Sequence, residues 1–160
     1  MIKTIELLNM SKIDDYIEKC NNALSEEDPI EFKYPLELAN DIVNWEKYIG
    51  KIKNDNEEIL KGLRNKANIY AIYTMSNNEN WKIKYIGQRK AVNMRDRITH
   101  HLITKHNNTG AKLKLIQNAV ENNEKVGLRF LFLPRDTMRA FIEEELIIKN
   151  KTELAWNIHA

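Results

Sequence analysis

The hydrophobic repeat of the chain changes near residue 67, and no other feature of the sequence constrains the fold as strongly. Before this point, apolar residues recur every three to four positions, which is the period of an amphipathic helix. Beyond it, short runs rich in β-branched and aromatic residues stand between polar turns, which is typical of strands. We therefore predict an α+β protein with an all-helical N-terminal lobe over residues 1–66 and a second domain over 67–160.

The predicted elements differ between the two parts. In the N-terminal lobe, Ser11 can cap a first helix, Pro35 can begin a second that Gly50 ends, and a third helix fits residues 54–64. The second domain has the order β-β-α-α-β-α, with strands over 68–75, 81–87 and 126–133 and helices over 93–104, 111–122 and 136–149. This order predicts a small three-stranded antiparallel sheet flanked by helices.

The composition is that of an ordinary globular protein, with 42% hydrophobic and 30% charged residues in 160. A chain of this length can bury a proper hydrophobic core. It has no run of 18 apolar residues, and its N-terminus lacks the unbroken apolar segment of a secretory signal. The single cysteine, Cys20, excludes an internal disulfide framework and a cysteine-rich zinc module. We therefore expect a cytoplasmic protein without membrane contacts.

Charge is distributed unevenly along the chain. The formal net charge of +2 combines −4 in residues 1–66 with +6 in residues 67–160. Between positions 82 and 106 one acid, Asp96, accompanies seven basic residues: Lys82, Lys84, Arg89, Lys90, Arg95, Arg97 and Lys105. Such a segment is typical either of a binding site for a polyanion or of a solvated surface, and charge alone does not choose between them.

The second predicted strand alternates large and basic side chains. This pattern puts Trp81, Ile83 and Tyr85 on one face of the strand and Lys82 and Lys84 on the other. Tyrosines in strands are usually core residues with a satisfied hydroxyl group, so the strand alone does not indicate a functional site.

Glu144 lies in the middle of an apolar stripe on the last predicted helix. Four apolar residues stand three or four positions from it: Ala140, Phe141, Ile147 and Ile148. A carboxylate buried among them must be paired, protonated or bound to a cation, whereas one at the edge of the stripe simply reaches water. Glu143 and Glu145 each have a basic neighbour on the helix and are predicted to lie at the surface.

Arg97 and His101 stand four residues apart and share one face of the helix predicted over 93–104. A guanidinium group and an imidazole ring on one face of a basic segment suit a phosphate site. An exposed basic helix face is the alternative.

Five elements in order resemble the GIY-YIG nuclease domain over about residues 67–160. They are Asn68-Ile69-Tyr70, Tyr85-Ile86-Gly87, the helix residues Met94, Arg97 and His101, the helical Glu144, and the near-terminal Asn157. The Trp156-Asn157-Ile158 ending is similar to that of endonuclease II of T-even phages and of the GIY-YIG type II restriction enzymes. Asn68 stands where the family has glycine, and Ala155 stands where these relatives often have proline.

The resemblance implies hydrolysis of DNA phosphodiesters with one Mg²⁺ ion, for which Mn²⁺ can substitute. By this resemblance Glu144 binds the metal, and Arg97 clamps the phosphate oxygens. Tyr70 activates the attacking water while Tyr85 holds the water or the phosphate. The remaining implied roles are a proton acceptor or relay for Tyr70 at His101, an orienting group at Asn157, and DNA contacts at Lys84, Gly87, Lys90 and Arg95.

The compact chain favours a site-specific endonuclease of the restriction type that acts on double-stranded DNA as a homodimer or homotetramer. The acidic N-terminal lobe is then expected to support contacts between copies or to pack on the catalytic unit. Three alternatives stay open. They are a phage or mobile-element nuclease with loose sequence preference, a non-catalytic DNA-binding module on the same fold, and a purely structural role for the tyrosines with Glu144 at the surface.

Overall fold

A computed structural model describes residues 3, 9–104 and 112–157. Its helices are α1 (Met10–Ser25), α2 (Ile49–Asp55), α3 (Glu57–Lys61), α4 (Met94–Leu102), α5 (Leu113–Glu121) and α6 (Arg139–Lys149). Its strands are β1 (Ile30–Phe32), β2 (Ile69–Met75), β3 (Lys82–Gln88) and β4 (Lys125–Leu131). Short 3-10 helices cover Leu36–Asn40, Ile42–Tyr48, Ala91–Asn93 and Asp136–Met138. Lys105, position 111 and Ile158, which figure in the predictions above, lie outside the described residues.

The four strands form one antiparallel sheet in the order β1-β4-β2-β3, with helices packed against it. The predicted α+β class is therefore confirmed, and β2, β3 and β4 are the three predicted strands. The prediction of three strands is wrong by one, because β1 pairs with β4 through Ile30↔Leu128 and Phe32↔Val126. A three-residue strand is too short to show a periodic pattern in the sequence.

The first 66 residues are not all-helical. Besides β1, the segment predicted as one helix after Pro35 forms two 3-10 helices, and Gly50 lies inside α2 instead of ending a helix. Tyr34 and Trp45 donate hydrogen bonds to the carbonyls of Leu102 (2.8 Å) and Ile103 (2.7 Å) at the end of α4. The N-terminal segment therefore packs on the second part of the chain, and a domain boundary at residue 66 stays a prediction.

The sheet separates two apolar cores. One face packs on α4 and α5, and this α4–α5 core includes six buried residues from the N-terminal segment: Phe32, Leu38, Trp45, Ile52, Leu60 and Leu63. The opposite face packs on α1 and α6, and this α1–α6 core includes Ile69, Ala71, Tyr73, Ile83 and Ile86 from the sheet. Because β3 is an edge strand, the α4 side and the α6 side of the sheet meet along its outer edge.

A β-bulge in β3 overturns the predicted alternation of that strand. Ile72 pairs with Tyr85 but the next residue, Tyr73, pairs with Ile83, so the register skips Lys84. Ile83 consequently belongs to the α1–α6 core and Tyr85 to the α4–α5 core, on opposite faces of the sheet. The extra residue of a bulge re-aims the side chains on one side of it. Here it turns Tyr85 to the face that carries Tyr70.

Helix α6 buries a different face from the predicted one. Ile142 and Leu146 are fully buried against β3 and α1, whereas Phe141 is 42% and Ile148 is 65% exposed. Glu144 lies between these two exposed side chains on the solvent face of the helix. The apolar stripe that surrounds Glu144 in the sequence is therefore not the packed face.

Among the described residues, no helix is both long enough and apolar enough to cross a membrane.

Candidate active site

Tyr70 and Gly87 are register partners in β2 and β3, and their contact builds the floor of the site. A Cβ atom at position 87 would lie 2.5 Å from both Cζ and Oη of Tyr70 and 2.8 Å from Cε1 of Tyr85. Only glycine leaves room for the Tyr70 ring to cross the neighbouring strand at this distance. Gly87 is therefore a packing requirement of the tyrosine pair, whereas the sequence predicted it as a DNA contact.

Helix α4 brings Arg97 and His101 to the hydroxyl group of Tyr70. His101 Nε2 lies 2.6 Å from Tyr70 Oη, and Arg97 Nε donates to the same oxygen over 3.3 Å. The two α4 residues are one helical turn apart, so both side chains reach the same point of the sheet. The predicted association of Tyr70, Arg97 and His101 is thus present in the structure.

The hydrogen bonds of His101 fix its tautomer. The backbone N–H of Lys112 donates to His101 Nδ1 over 2.9 Å, so Nδ1 carries no proton. The ring proton is then on Nε2, which donates to Tyr70 Oη. Burial and the charges of Arg97 and Lys112 hold the pKa of His101 well below its usual value, which keeps the ring neutral. His101 therefore donates to Tyr70, opposite to its predicted role as an acceptor of the tyrosine proton.

Tyr70 is fully buried, and burial is the main reason that its pKa is raised well above the usual value. Its oxygen receives two donors, His101 and Arg97, so its own proton is directed to its remaining side-chain partner, Tyr85. Arg97 opposes the effect of burial, since a cation beside the oxygen stabilises the phenolate form. Tyr85 retains 9% exposure and is the tyrosine through which the pair reaches solvent.

Lys112 belongs to the site although no sequence motif indicated it. Its ammonium nitrogen lies 5.3 Å from the centroid of the Tyr85 ring, and its backbone holds His101. Burial and the charge of Arg97 lower the pKa of Lys112. Lys112 precedes α5, 11 residues after His101, and belongs to none of the five elements, so only the packing of α5 beside α4 reveals it.

On α6, Glu143 is the half-buried carboxylate and is within electrostatic reach of Arg97, whereas Glu144 is exposed. The Glu143 side chain is half-buried, and burial followed by repulsion from Glu144 raises its pKa from 4.5 to about 7. The backbone N–H of Gln88 and the charge of Arg97 act on it in the opposite direction. Glu143 was predicted at the surface through its neighbour Arg139, but Arg139 instead binds Asp136 and donates to Gln88 Oε1 over 2.8 Å.

The two asparagines of the predicted motif hold backbone. Asn157 accepts a hydrogen bond from the N–H of Ile86 and donates to its C=O, both over 2.9 Å, so its amide covers the outer edge of β3. Asn68 is fully buried and spans Leu133 in the same way, accepting from its N–H (2.7 Å) and donating to its C=O (2.9 Å). These two Asn157 hydrogen bonds go to the backbone of Ile86, and its predicted role in orienting Glu144 or the phosphate stays a prediction.

The remaining predicted DNA contacts lie in β3, in the segment that leads to α4, and in α4 itself. Lys84 is half-buried at the bulge, and its C=O accepts the Trp156 N–H over 3.0 Å. Lys90 is exposed in the segment between β3 and α4, where it lines a cavity of about 300 Å³ with Arg89 and Arg139.

Arg95 is exposed on the first turn of α4. It lines a different cavity, of about 470 Å³, together with Lys53 and Arg64.

A divalent cation could be held here only with few protein ligands. The part of the chain that the structure describes contains no group of three or more His, Cys, Asp or Glu residues arranged to bind a metal. Glu143 does fit such an ion. Burial and repulsion from Glu144 make the charged form of this carboxyl group unfavourable, and a bound cation would offset that cost. Mg²⁺ in particular uses one or two carboxylates and takes its other ligands from water and phosphate.

Comparison with family models, with curated proteins and with solved structures finds no match to this chain. The functional conclusion must therefore come from the chemistry of the site.

Proposed function

We propose that this protein is a Mg²⁺-dependent endonuclease that hydrolyses phosphodiester bonds in double-stranded DNA. The position of Arg97 carries this proposal. Arg97 hydrogen-bonds Tyr70 on one side of β3 and acts electrostatically on Glu143, which approaches from the other side. A guanidinium group that binds a tyrosine hydroxyl and is within electrostatic reach of a carboxyl group is suited to hold a phosphodiester between a water-positioning side and a metal-binding side.

Glu143 is the residue that would hold the ion, with Mn²⁺ as a substitute for Mg²⁺. When bound, the ion stabilises the charge that develops on the phosphate and on the leaving O3′. Arg97 donates to the non-bridging oxygens of the same phosphate, and removing such a donor typically lowers the rate about 10²–10³-fold.

The tyrosine pair positions the attacking water. Tyr85 presents the more accessible hydroxyl group, and Tyr70 holds it from below through the inner hydrogen bond. His101 and Arg97 both donate to Tyr70 Oη, so they stabilise negative charge on that oxygen. Overall, water forms the new P–O bond, the P–O3′ bond breaks, and a proton of the water appears on the released 3′-hydroxyl group.

A type II restriction enzyme is the first form of this function, as a homodimer or homotetramer in which each copy cuts one strand of a palindrome. A phage or mobile-element nuclease with loose preference uses the same chemistry, and a non-catalytic DNA-binding module uses the same surface. The products of digestion separate the three.

The test is digestion of mixed-sequence phage DNA with Mg²⁺ by the natural protein, by Glu143→Gln and by the matched variant Glu144→Gln. We expect discrete bands from the natural protein, a loss of at least about 10²-fold in rate from Glu143→Gln, and a change of only a few-fold from Glu144→Gln. If Glu144→Gln lowers the cleavage rate more than Glu143→Gln does, Glu144 is the metal-binding residue. A smear would favour the loosely specific nuclease, and binding without cleavage in Mg²⁺ and Mn²⁺ would leave the binding module.

A further inference from the structure

We propose that Lys112, beside the ring of Tyr85, and Arg97, at its hydroxyl group, form an anion-binding pair, and that this pair takes one phosphate group of the DNA backbone. The existence of the anion site follows from the geometry of the two cations. Its assignment to DNA rests on the proposed function.

Both cations contact the same tyrosine. The Lys112 ammonium nitrogen lies 5.3 Å from the centroid of the Tyr85 ring, and the Arg97 guanidinium group hydrogen-bonds the hydroxyl groups of Tyr70 and Tyr85. Tyr85 is also the tyrosine of the pair that reaches solvent. An anion that approaches this hydroxyl group therefore meets a positive charge from α4 and another from the start of α5.

Neither charge of the pair has an ion-pair partner in the described part of the chain, and the carboxyl group of Glu143 interacts with Arg97 only at longer range. Neither Lys112 nor Arg97 forms an ion pair there within 4.0 Å, although seven other ion pairs are present. His101, the remaining titratable ring at this point, is neutral. Burial and repulsion from Arg97 lower the pKa of Lys112, which means that the second positive charge is unfavourable in the empty site. A bound anion removes this repulsion.

Phosphate is the anion that suits the pair best. Guanidinium groups bind two phosphate oxygens at once, and an ammonium group supplies a compact point charge to a third. Arg97 is also the residue proposed to hold the reacting phosphodiester. Lys112 would therefore contact the same phosphate as Arg97, or the neighbouring one.

The first experiment measures binding of a short mixed-sequence DNA duplex in EDTA as a function of salt concentration. Loss of one phosphate contact reduces the slope of log K against log [salt] by about 1. We expect this reduction in Lys112→Met, no reduction in Lys112→Arg, and none in the control Lys114→Met, whose lysine is exposed two residues further on. The backbone N–H that holds His101 is unchanged in all three variants, so only the side chain is tested.

The second experiment needs no substitution. The ammonium signals of isotopically labelled lysines are titrated by NMR with and without inorganic phosphate, with the Lys114 signal as reference. Binding of phosphate at the pair must raise the pKa of Lys112, because the anion favours its charged form. The shift should disappear in Arg97→Gln.

The outcomes distinguish the two proposals. A Lys112 signal that phosphate does not move, together with an unchanged salt slope in Lys112→Met, overturns the anion pair even if the protein cuts DNA. A phosphate-dependent shift in a protein that does not bind DNA supports the anion pair and contradicts the endonuclease proposal.

Discussion

Glu143 and Glu144 are adjacent on α6 but have different environments, because successive side chains of a helix are rotated by about 100°. The buried residues Ile142 and Leu146 fix the packed face, which leaves Glu143 half-buried beside β3 and turns Glu144 to solvent. The sequence predicted the helix and a metal-binding carboxylate at Glu144, and that ligand stays a prediction. The apolar stripe around Glu144 is not the packed face, because Phe141 and Ile148 are exposed.

We expect cation binding at Glu143 to depend on pH. The ion competes with the proton that Glu143 holds below its pKa of about 7, so affinity for Mn²⁺ should rise about tenfold per pH unit up to pH 7 and then level. Titration calorimetry of the natural protein should show this profile, and Glu144→Gln should level at a lower pH, because it removes the repulsion that helps to raise the pKa of Glu143. A weak, pH-independent affinity is expected for Glu143→Gln, and an unaltered profile in that variant would place the cation elsewhere.

The same carboxyl group should influence stability. Its pKa is raised by folding from 4.5 to about 7, so the folded protein holds an extra proton between these pH values. The contribution of the Glu143 proton to the free energy of unfolding is fully present below pH 4.5 and is lost as the pH rises to 7. Urea unfolding across this range should show a smaller fall in the free energy of unfolding for Glu143→Gln than for the natural protein.

Gly87 allows a paired prediction with Gly50. Gly87→Ala places a methyl group against Tyr70 and Tyr85 and should lower the free energy of unfolding by about 1–3 kcal/mol through overpacking. A methyl group at Gly50 meets nothing within 4 Å and lies in α2, where alanine is favoured over glycine by up to about 1 kcal/mol. Thermal unfolding of both variants measures the difference, and equal effects would show that Tyr70 does not crowd position 87.

At the scale of elements, β3 is an edge strand whose outward backbone groups are covered by other parts of the chain. Trp156 donates to the C=O of Lys84, Asn157 binds both groups of Ile86, and Glu143 lies beside the N–H of Gln88. Covering an exposed edge prevents pairing with another chain. The predicted strands were found because they alternate or are β-branched, but the bulge at Lys84 and the cover of the edge depend on long-range contacts.

Asn68 ties the start of β2 to the segment that leads into α6, so glycine at this position should be destabilising. Asn68→Gly leaves the buried N–H and C=O of Leu133 without their partner, which should lower the free energy of unfolding by about 2–4 kcal/mol. The same change at Asn77, an exposed residue with φ of 47°, should change it by less than about 0.5 kcal/mol. Urea denaturation compares the two. Similar values would mean that the Asn68 amide contributes no net stability.

At the scale of the whole molecule, the N-terminal segment completes the body that carries the site. β1 extends the sheet beside β4, and Phe32, Leu38 and Trp45 fill the α4–α5 core beneath Tyr70. Arg129 in β4 also holds α1, through the C=O of Ala23 (2.7 Å) and the carboxylate of Glu27 (3.0 Å). The acidic segment is therefore part of the fold that positions the catalytic candidates.

Truncation to residues 67–160 should abolish cooperative folding. The fragment keeps the GIY-YIG-like elements but exposes the core face that the N-terminal residues cover and the edge of β4 that β1 pairs with. Circular dichroism during heating should show one sigmoidal transition for the full chain and a gradual, non-cooperative change for the fragment. A fragment with a sharp transition and native-like NMR shifts would support the predicted boundary near residue 66.

By itself the sequence determined the mixed α+β class, the positions of three strands and of the helices that follow residue 67, and the candidates Tyr70, Arg97 and His101. These features follow from the hydrophobic periodicity and the residue spacing within single helices and strands, which can be read without knowing how the elements pack. Only the tertiary structure decided the direction of the His101 hydrogen bond, the burial of Glu143 in place of Glu144, and the place of Lys112 beside Tyr85. These three features depend on which faces of the helices and the sheet pack together. That packing is determined by burial and by charges between residues that are distant in the sequence.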